Sequence, residues 1–261
     1  MSSEPDTSEA IPEGPDRAQA DIGIVCATAM ELSPFVARCD RNRKYIGHKL
    51  VVQGVKHLDA RIAIVYTGMG FAAARQGTLA LIDAHRPSWI LSAGFSGALN
   101  PQMKVGDIVM GNALCDTHGQ EMQIDLQMAS DPQRGLWVGK LLTADQIVRT
   151  VAEKQTLAEK HGAAAVDLES LAVAQVCKEA KTRFMAVRSI SDDMSADLPA
   201  EILTLVNTSG ASRFGAALSF FWKRPSSIKD MWNLRENAQK AADRLAPYLL
   251  SVVEKLYDVD H

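Results

Sequence analysis

Residues 166–193 read VDLESLAVAQVCKEAKTRFMAVRSISDD, and this stretch decides the fold. Ala163 to Leu168 is a short apolar run, the pattern of a buried strand. Glu169 to Lys181 reads as a helix. Phe184 to Ile190 is a second apolar strand, running into Ser191, Asp192 and Asp193. Strand, helix and strand in this order belong to the rhythm of a doubly wound α/β sheet. Carboxylates stand just past both strands, Asp167 and Glu169 after one and Asp192 and Asp193 after the other.

The same rhythm extends toward the N-terminus. Ile22 to Ala27 (IGIVCA) is a buried strand, followed by Thr28, Ala29, Met30 and Glu31 and a helix start carrying Pro34. Residues 44–67 read as strands with a turn near Asp59, the last being RIAIVYT at 61–67. A glycine turn follows, Gly68-Met69-Gly70, then a small-residue helix from Phe71 to His85 and Pro87. Ser88 to Ala93 is the next strand, read here as ending in a second glycine turn, Gly94-Phe95-Ser96-Gly97. The stretch 105–114 (VGDIVMGNAL) supplies another strand, and 115–145 reads as a polar, irregular loop of the kind that often carries function. The last 35 residues form a helix, with Ser227 as its N-cap. Met231, Leu234, Ala238, Ala241, Leu245, Tyr248, Val252 and Leu256 make its apolar stripe. This alternation predicts a doubly wound α/β sheet in one domain from residue 21 to 261.

Composition narrows the function classes. The chain has 261 residues, 47% of them apolar and 23% charged, with a net charge of −3. A nucleic-acid surface carries a clustered basic excess, and none is present. No segment reaches about 18 consecutive apolar residues, so no membrane span is expected. Residues 1–20 are rich in Ser, Glu, Asp and Pro, with no apolar core of a leader, and are expected to be disordered. The four cysteines, Cys26, Cys39, Cys115 and Cys177, form no C-x-x-C pair, which argues against a zinc knuckle. Free core thiols fit a reducing, cytoplasmic setting.

Gly68 to Ala73 matches G-x-G-x-x-A between a strand and a helix. A dinucleotide site also needs a carboxylate about 20 residues on. The next strand ends in Ser92, Ala93 and Gly94 with no carboxylate, so a tight turn and close packing explain the glycines better. Glu31, Glu169 and Asp192 each have a bland explanation, as helix-terminus or turn residues. All three nonetheless follow apolar strands and should face one end of the sheet, where ligands of open α/β sheets collect.

Here the sequence resembles a known family. VDLESLAVAQVC followed by FMAVRSISDD looks like the signature of the nucleoside phosphorylase and nucleosidase superfamily. IGIVCATAMEL, TGMGFAAA and ILSAGFSGALNPQMKVGDIVM resemble its first strand, first glycine turn and glycine-rich pocket strand, in order over roughly residues 21–220. The chain is most similar to the methylthioadenosine/S-adenosylhomocysteine nucleosidases and to hopanoid-associated phosphorylase-like proteins. The second likeness includes LLTADQIV, AEKQTLAEKHGAAAVDLES and ALSFFWKRP. The resemblance implies a three-layer α/β/α fold with a mixed, partly barrel-like sheet, a small purine nucleoside substrate, no metal or organic cofactor, and a homodimer.

It also implies roles. Breaking a ribosyl C–N bond builds an oxocarbenium-like centre and needs a proton on the leaving base. Asp192 has the place of that acid, Glu169 that of the carboxylate holding the sugar hydroxyls, and Glu31 that of the water-activating base. Leu168, Asp167, Arg188, Ser191, Gly94, Phe95, Ser96, Met69 and Gly70 line the substrate. Phosphorylases of the superfamily hold phosphate with an arginine and a serine around the second glycine turn, where Ser92 and Phe95 stand. Hydrolysis is therefore favoured; phosphorolysis and nucleoside binding without turnover are the alternatives.

Overall fold

The computed structural model describes residues 19–47, 50–200, 202 and 225–260. Residues 1–18, and with them most of the expected disordered tail, lie outside these, as does the FFWKR part of the ALSFFWKRP segment. Among the described residues, ten strands and five α-helices follow in order: β1 (Ile22–Cys26), α1 (Ala29–Val36), β2 (Asp40–Gly47), β3 (Leu50–His57), β4 (Ala60–Tyr66), α2 (Phe71–His85), β5 (Trp89–Ala98), β6 (Ile108–Asp116), β7 (Glu121–Gln123), β8 (Leu136–Thr143), α3 (Val151–His161), β9 (Ala165–Asp167), α4 (Ser170–Ala180), β10 (Arg183–Asp192) and α5 (Pro225–Asp260).

The strands form one mixed sheet in the order β10-β6-β8-β9-β5-β1-β4-β3-β2. A further pairing of β10 with β5 closes β10, β6, β8, β9 and β5 into a barrel. The expected three-layer α/β/α fold with a barrel-like sheet is what the chain adopts. α1 and α5 cover one face, where Leu32, Phe35, Leu245, Leu249 and Val253 pack with Ile24, Ile64 and Val187. α2 and α4 cover the other, where Ala74, Leu81, Val173 and Cys177 meet Val25, Val65 and Ile90. Truncating a leucine such as Leu245, fully buried, costs about 2–5 kcal/mol in such a core.

Four local readings are corrected. The second glycine turn is no turn: β5 runs unbroken through Gly94, Phe95, Ser96 and Gly97, because β10 takes up their backbone bonds from Trp89 to Gly97. The polar 115–145 region contains β7 and the whole of β8, which β6 and β9 flank in parallel. Pro34 lies in the last turn of α1, not the first, and the Ser33 hydroxyl donates to the Met30 carbonyl that a proline leaves without its helical partner. α5 begins at Pro225, so Ser227 lies inside it; proline suits a first helical turn. Among the described residues, no helix is long and apolar enough to cross a membrane.

Candidate active site

The site is built where β1, β4, β5, β9 and β10 end, and β5 is its axis. Gly94 and Gly97 on β5 stand in register with Arg188 and Asp192 on β10. The register slips between Ile190 and Asp192, an irregularity that re-aims a side chain at a strand end. Three residue steps along the strand set the two glycines about 10 Å apart. Two groups of charged side chains collect at these two points.

The first group surrounds Gly94. Glu31, in the first turn of α1, turns back toward the strand end. Its Oε2 accepts from the Thr28 N–H (2.6 Å), the Thr28 hydroxyl (3.0 Å) and the Cys26 thiol (3.2 Å). Its Oε1 accepts from the Phe95 N–H at 2.9 Å. Glu31 therefore caps its helix and also reaches β5. Glu169 enters from the start of α4, and its Oε1 accepts from the Gly70 N–H at 2.8 Å. Gly70 has φ 99°, a conformation glycine adopts freely, and this turns its N–H to the carboxylate. The G-x-G turn thus serves a carboxylate of the same chain.

Arg188 ties this group together. It is buried, with 1% exposure. Its Nη2 donates to Ser92 (2.9 Å) and Ser170 (3.0 Å), and its Nε to Ser170 at 3.2 Å. Nε also lies 3.0 Å from Asp167 Oδ2, an ion pair without hydrogen-bond alignment, and Nη2 lies 3.8 Å from Glu169 Oε2. Asp167 sits behind the guanidinium. Its Oδ1 accepts from the Thr143 hydroxyl and from the Glu169 and Ser170 N–H groups. A methyl group on Gly94 would lie 2.6 Å from Arg188 Nη1 and 2.7 Å from Glu31 Oε1. Only a glycine lets these two groups approach the strand so closely.

Three carboxylates thus share one guanidinium. Burial pushes Glu169 up to about 7; Arg188 pulls it back, and Asp167 and Glu31 push it further. Burial likewise raises the Cys26 thiol well above its ordinary range, with Glu31 adding to the effect. Cys26 therefore stays a neutral donor to Glu31 at physiological pH.

The second group surrounds Gly97. Asp192 Oδ1 accepts from the Ser191 hydroxyl at 2.8 Å, and Oδ2 pairs with Lys154 Nζ at 2.5 Å. Burial raises the Asp192 carboxyl above its ordinary value, against the pull of the Lys154 ammonium and the Ser191 hydroxyl. Ser191 also lies 3.4 Å from the Ser96 carbonyl, and the Ser96 hydroxyl is buried without a hydrogen-bond partner. Asp193 points elsewhere, its Oδ1 accepting from Ser195. Met69 and Phe95 are half-buried, and Leu168 packs beside Leu142, Ala144 and Val166.

Sequence reading singled out neither Lys154 nor Thr143. Lys154 is fully buried and sits on the inward stripe of α3 with Val151, Leu157, Ala158 and His161. A lysine at a core position of a helical stripe is a legible anomaly, since unpaired lysines are almost never fully buried. Thr143 gave no such signal.

Comparison with known proteins agrees with this architecture. The 5'-methylthioadenosine/S-adenosylhomocysteine nucleosidase of Staphylococcus epidermidis is 26% identical over 66% of this chain and 86% of its own length. The enzyme of the same name from Buchnera aphidicola is 26% identical over 66% of this chain and 83% of its own. Among solved structures, the S-adenosylhomocysteine nucleosidase of Streptococcus pyogenes superposes with a TM-score of 0.67 at 18% identity, over 91% of this chain and 98% of that one. The futalosine hydrolase of Helicobacter pylori gives 0.65 at 18% identity, over 90% and 97%. A family model described as the phosphorylase superfamily matches residues 21–133 and 126–219. That match spans most of the sequence, and the chain belongs to the phosphorylase superfamily.

Proposed function

We propose that this protein hydrolyses the N-glycosidic bond of a purine nucleoside, releasing the free base. The observation that carries this reading is the gathering of Glu31, Glu169 and Asp192 along β5, each with a different set of partners. In this reading Asp192, raised by burial, protonates the leaving base. Glu169 accepts the sugar hydroxyls and faces the positive charge that develops on the ring. Glu31 Oε1, across Gly94 from Arg188 Nη1, takes the proton of the attacking water. Asp167 acts through Arg188, and Ser191 through Asp192. Met69, Leu168 and Phe95 form the apolar walls around base and sugar.

Hydrolysis is favoured over phosphorolysis because a phosphate dianion needs basic partners. Arg188 Nε and Nη2 are already engaged by Asp167, Ser92 and Ser170, and Phe95 brings no hydroxyl. The names of the relatives support a 5'-substituted adenosine as substrate. The same reading carries a cytoplasmic homodimer, which the unpaired cysteines fit and sedimentation tests.

The test is release of adenine from methylthioadenosine, S-adenosylhomocysteine and adenosine, each with and without phosphate. Phosphate-independent release is expected. Release only with phosphate would make the protein a phosphorylase; binding without release would make it a nucleoside-binding protein.

A further inference from the structure

Lys154 is the least expected residue of the site. It comes from α3, an element outside the strand-and-turn motifs that supply the other groups, and it has 0% exposure. Its ammonium has three N–H donors, and three oxygens meet it: Asp192 Oδ2 at 2.5 Å, the Asp193 carbonyl at 3.0 Å and the Asp192 carbonyl at 3.4 Å. All three belong to the strand end that presents the acid. Asp192 is gripped from the other side by Ser191 at Oδ1. Behind the carboxylate lies β5, where a methyl group on Gly97 would come within 2.8 Å of Oδ2. The acid therefore has a fixed seat, made by a lysine, a hydroxyl and a missing side chain.

We propose that Lys154 is the positioning residue of Asp192, holding the acid's carboxylate against Gly97 and setting the pH at which it carries its proton. The inference rests on the reading of Asp192 as the proton donor. Other charged groups at this corner are Asp193, on the turn after β10, and Lys104, on the turn before β6, which acts on Asp193. β5 and β9 present Gly97 and Val166 there, neither of which titrates. Burial on every side pushes Asp192 toward its protonated form, and the ammonium opposes this. A carboxyl without the lysine would stay protonated to higher pH and be a weaker acid. With the lysine, donation leaves a carboxylate already matched by a cation, so the negative charge formed as the base departs is met where it forms. The balance is simple. Asp192 gives its proton to the base nitrogen, the base keeps the electron pair of the C–N bond, and water supplies hydroxide to the sugar and a proton to Glu31. Solvent exchange then removes the proton from Glu31 and returns one to Asp192.

A lysine serving only to fill the core would give a different result on replacement. In Lys154→Met the packing stem remains and the charge is gone. The expected outcome is a drop in kcat of roughly 10-fold or more with KM changed less than about threefold. The alkaline limb of the kcat/KM profile should move up by about one unit or more, since loss of a cation raises a neighbouring carboxyl. The carboxyl of Asp192, followed by carbon-13 NMR in full-length protein, should titrate at higher pH in the variant by the same amount. Ethylammonium should partly restore kcat in Lys154→Ala. Should Lys154→Met fail to fold, Lys154→Gln gives the same comparison. An unmoved titration of Asp192, or equal losses in kcat and in melting temperature with the limb in place, would overturn the proposal. Failure of the wild type to release any base would refute the nucleosidase reading instead, and the NMR titration would still judge the pairing.

Discussion

The two ends of the site lie on the same pair of strands and use the same chemical group, yet they are built as opposites. At Gly94, Glu31, Glu169 and Asp167 crowd around one guanidinium. At Gly97 a single carboxylate is matched by a single ammonium. A guanidinium is a planar fork that several acceptors can share, whereas an ammonium is a compact point charge. The excess of carboxylates over cations at Gly94 favours groups that accept protons and positive charge. The balanced pair at Gly97 favours a group that gives a proton up. In the proposed mechanism, acid and base are told apart by their counter-ions, a few residues apart on one strand.

The largest expected effect would come from breaking the Gly97 end. Asp192→Asn should lower kcat by roughly 10²-fold or more; turnover near wild type in a base-release assay would remove Asp192 from the mechanism. Glu31→Gln attacks the other end, and should lower hydrolysis by roughly 10²-fold while adenine binding by calorimetry is kept. Loss of binding would make Glu31 a binding or folding residue. Gly94→Ala sharpens the contrast by crowding only the first group. The added methyl meets Arg188 Nη1 and Glu31 Oε1, and should cost about 1–3 kcal/mol in chemical denaturation and most of the activity, with the Asp192 titration unmoved.

The smallest effect concerns Glu169. Burial sets its folded pKa at about 7, above the ordinary 4.5. The folded state therefore binds this proton more tightly than the unfolded state does. The stability it contributes is present at low pH and is lost as pH rises from about 4.5 to about 7. The amide of Glu169→Gln is neutral throughout. Its melting temperature should gain on the wild type between about pH 5 and about pH 8, and a constant difference across that range would show that Glu169 is ionised throughout.

The order and type of elements were readable because periodicity and terminators agreed. Phe71 to His85 was read as the helix it is, and the strand–helix–strand unit at 163–193 was read within one or two residues. The exception was the most important strand. Gly94, Ser96 and Gly97 carry turn chemistry when met in a sequence, but inside a strand glycine marks a close approach of another group. Here those groups are Glu31, Arg188 and Asp192. β8 was missed for a related reason, since its neighbours β6 and β9 supply a stability that LWVGKLLT does not announce. The carboxylates could be nominated because each follows a strand. Lys154 was overlooked because its partner lies 38 residues away, and only the closed barrel brings the two together.

That closure has a consequence for how the protein comes into being. The pairing of β5 with β10 joins Trp89 to Arg183 at one end and Gly97 to Asp192 at the other. Arg183 rests its guanidinium over the Trp89 ring and pairs with Asp260 near the end of α5. Contacts between such distant stretches form slowly, because a long loop must be ordered before they reward it. During synthesis, Gly94 and Gly97 emerge well before Arg188 and Asp192, the residues that face them on β10. The arrival of one late strand delivers Arg188 and Asp192 together, so a chain stalled before β10 lacks a charged group at both ends of the site, and the site and the native topology are completed in a single step.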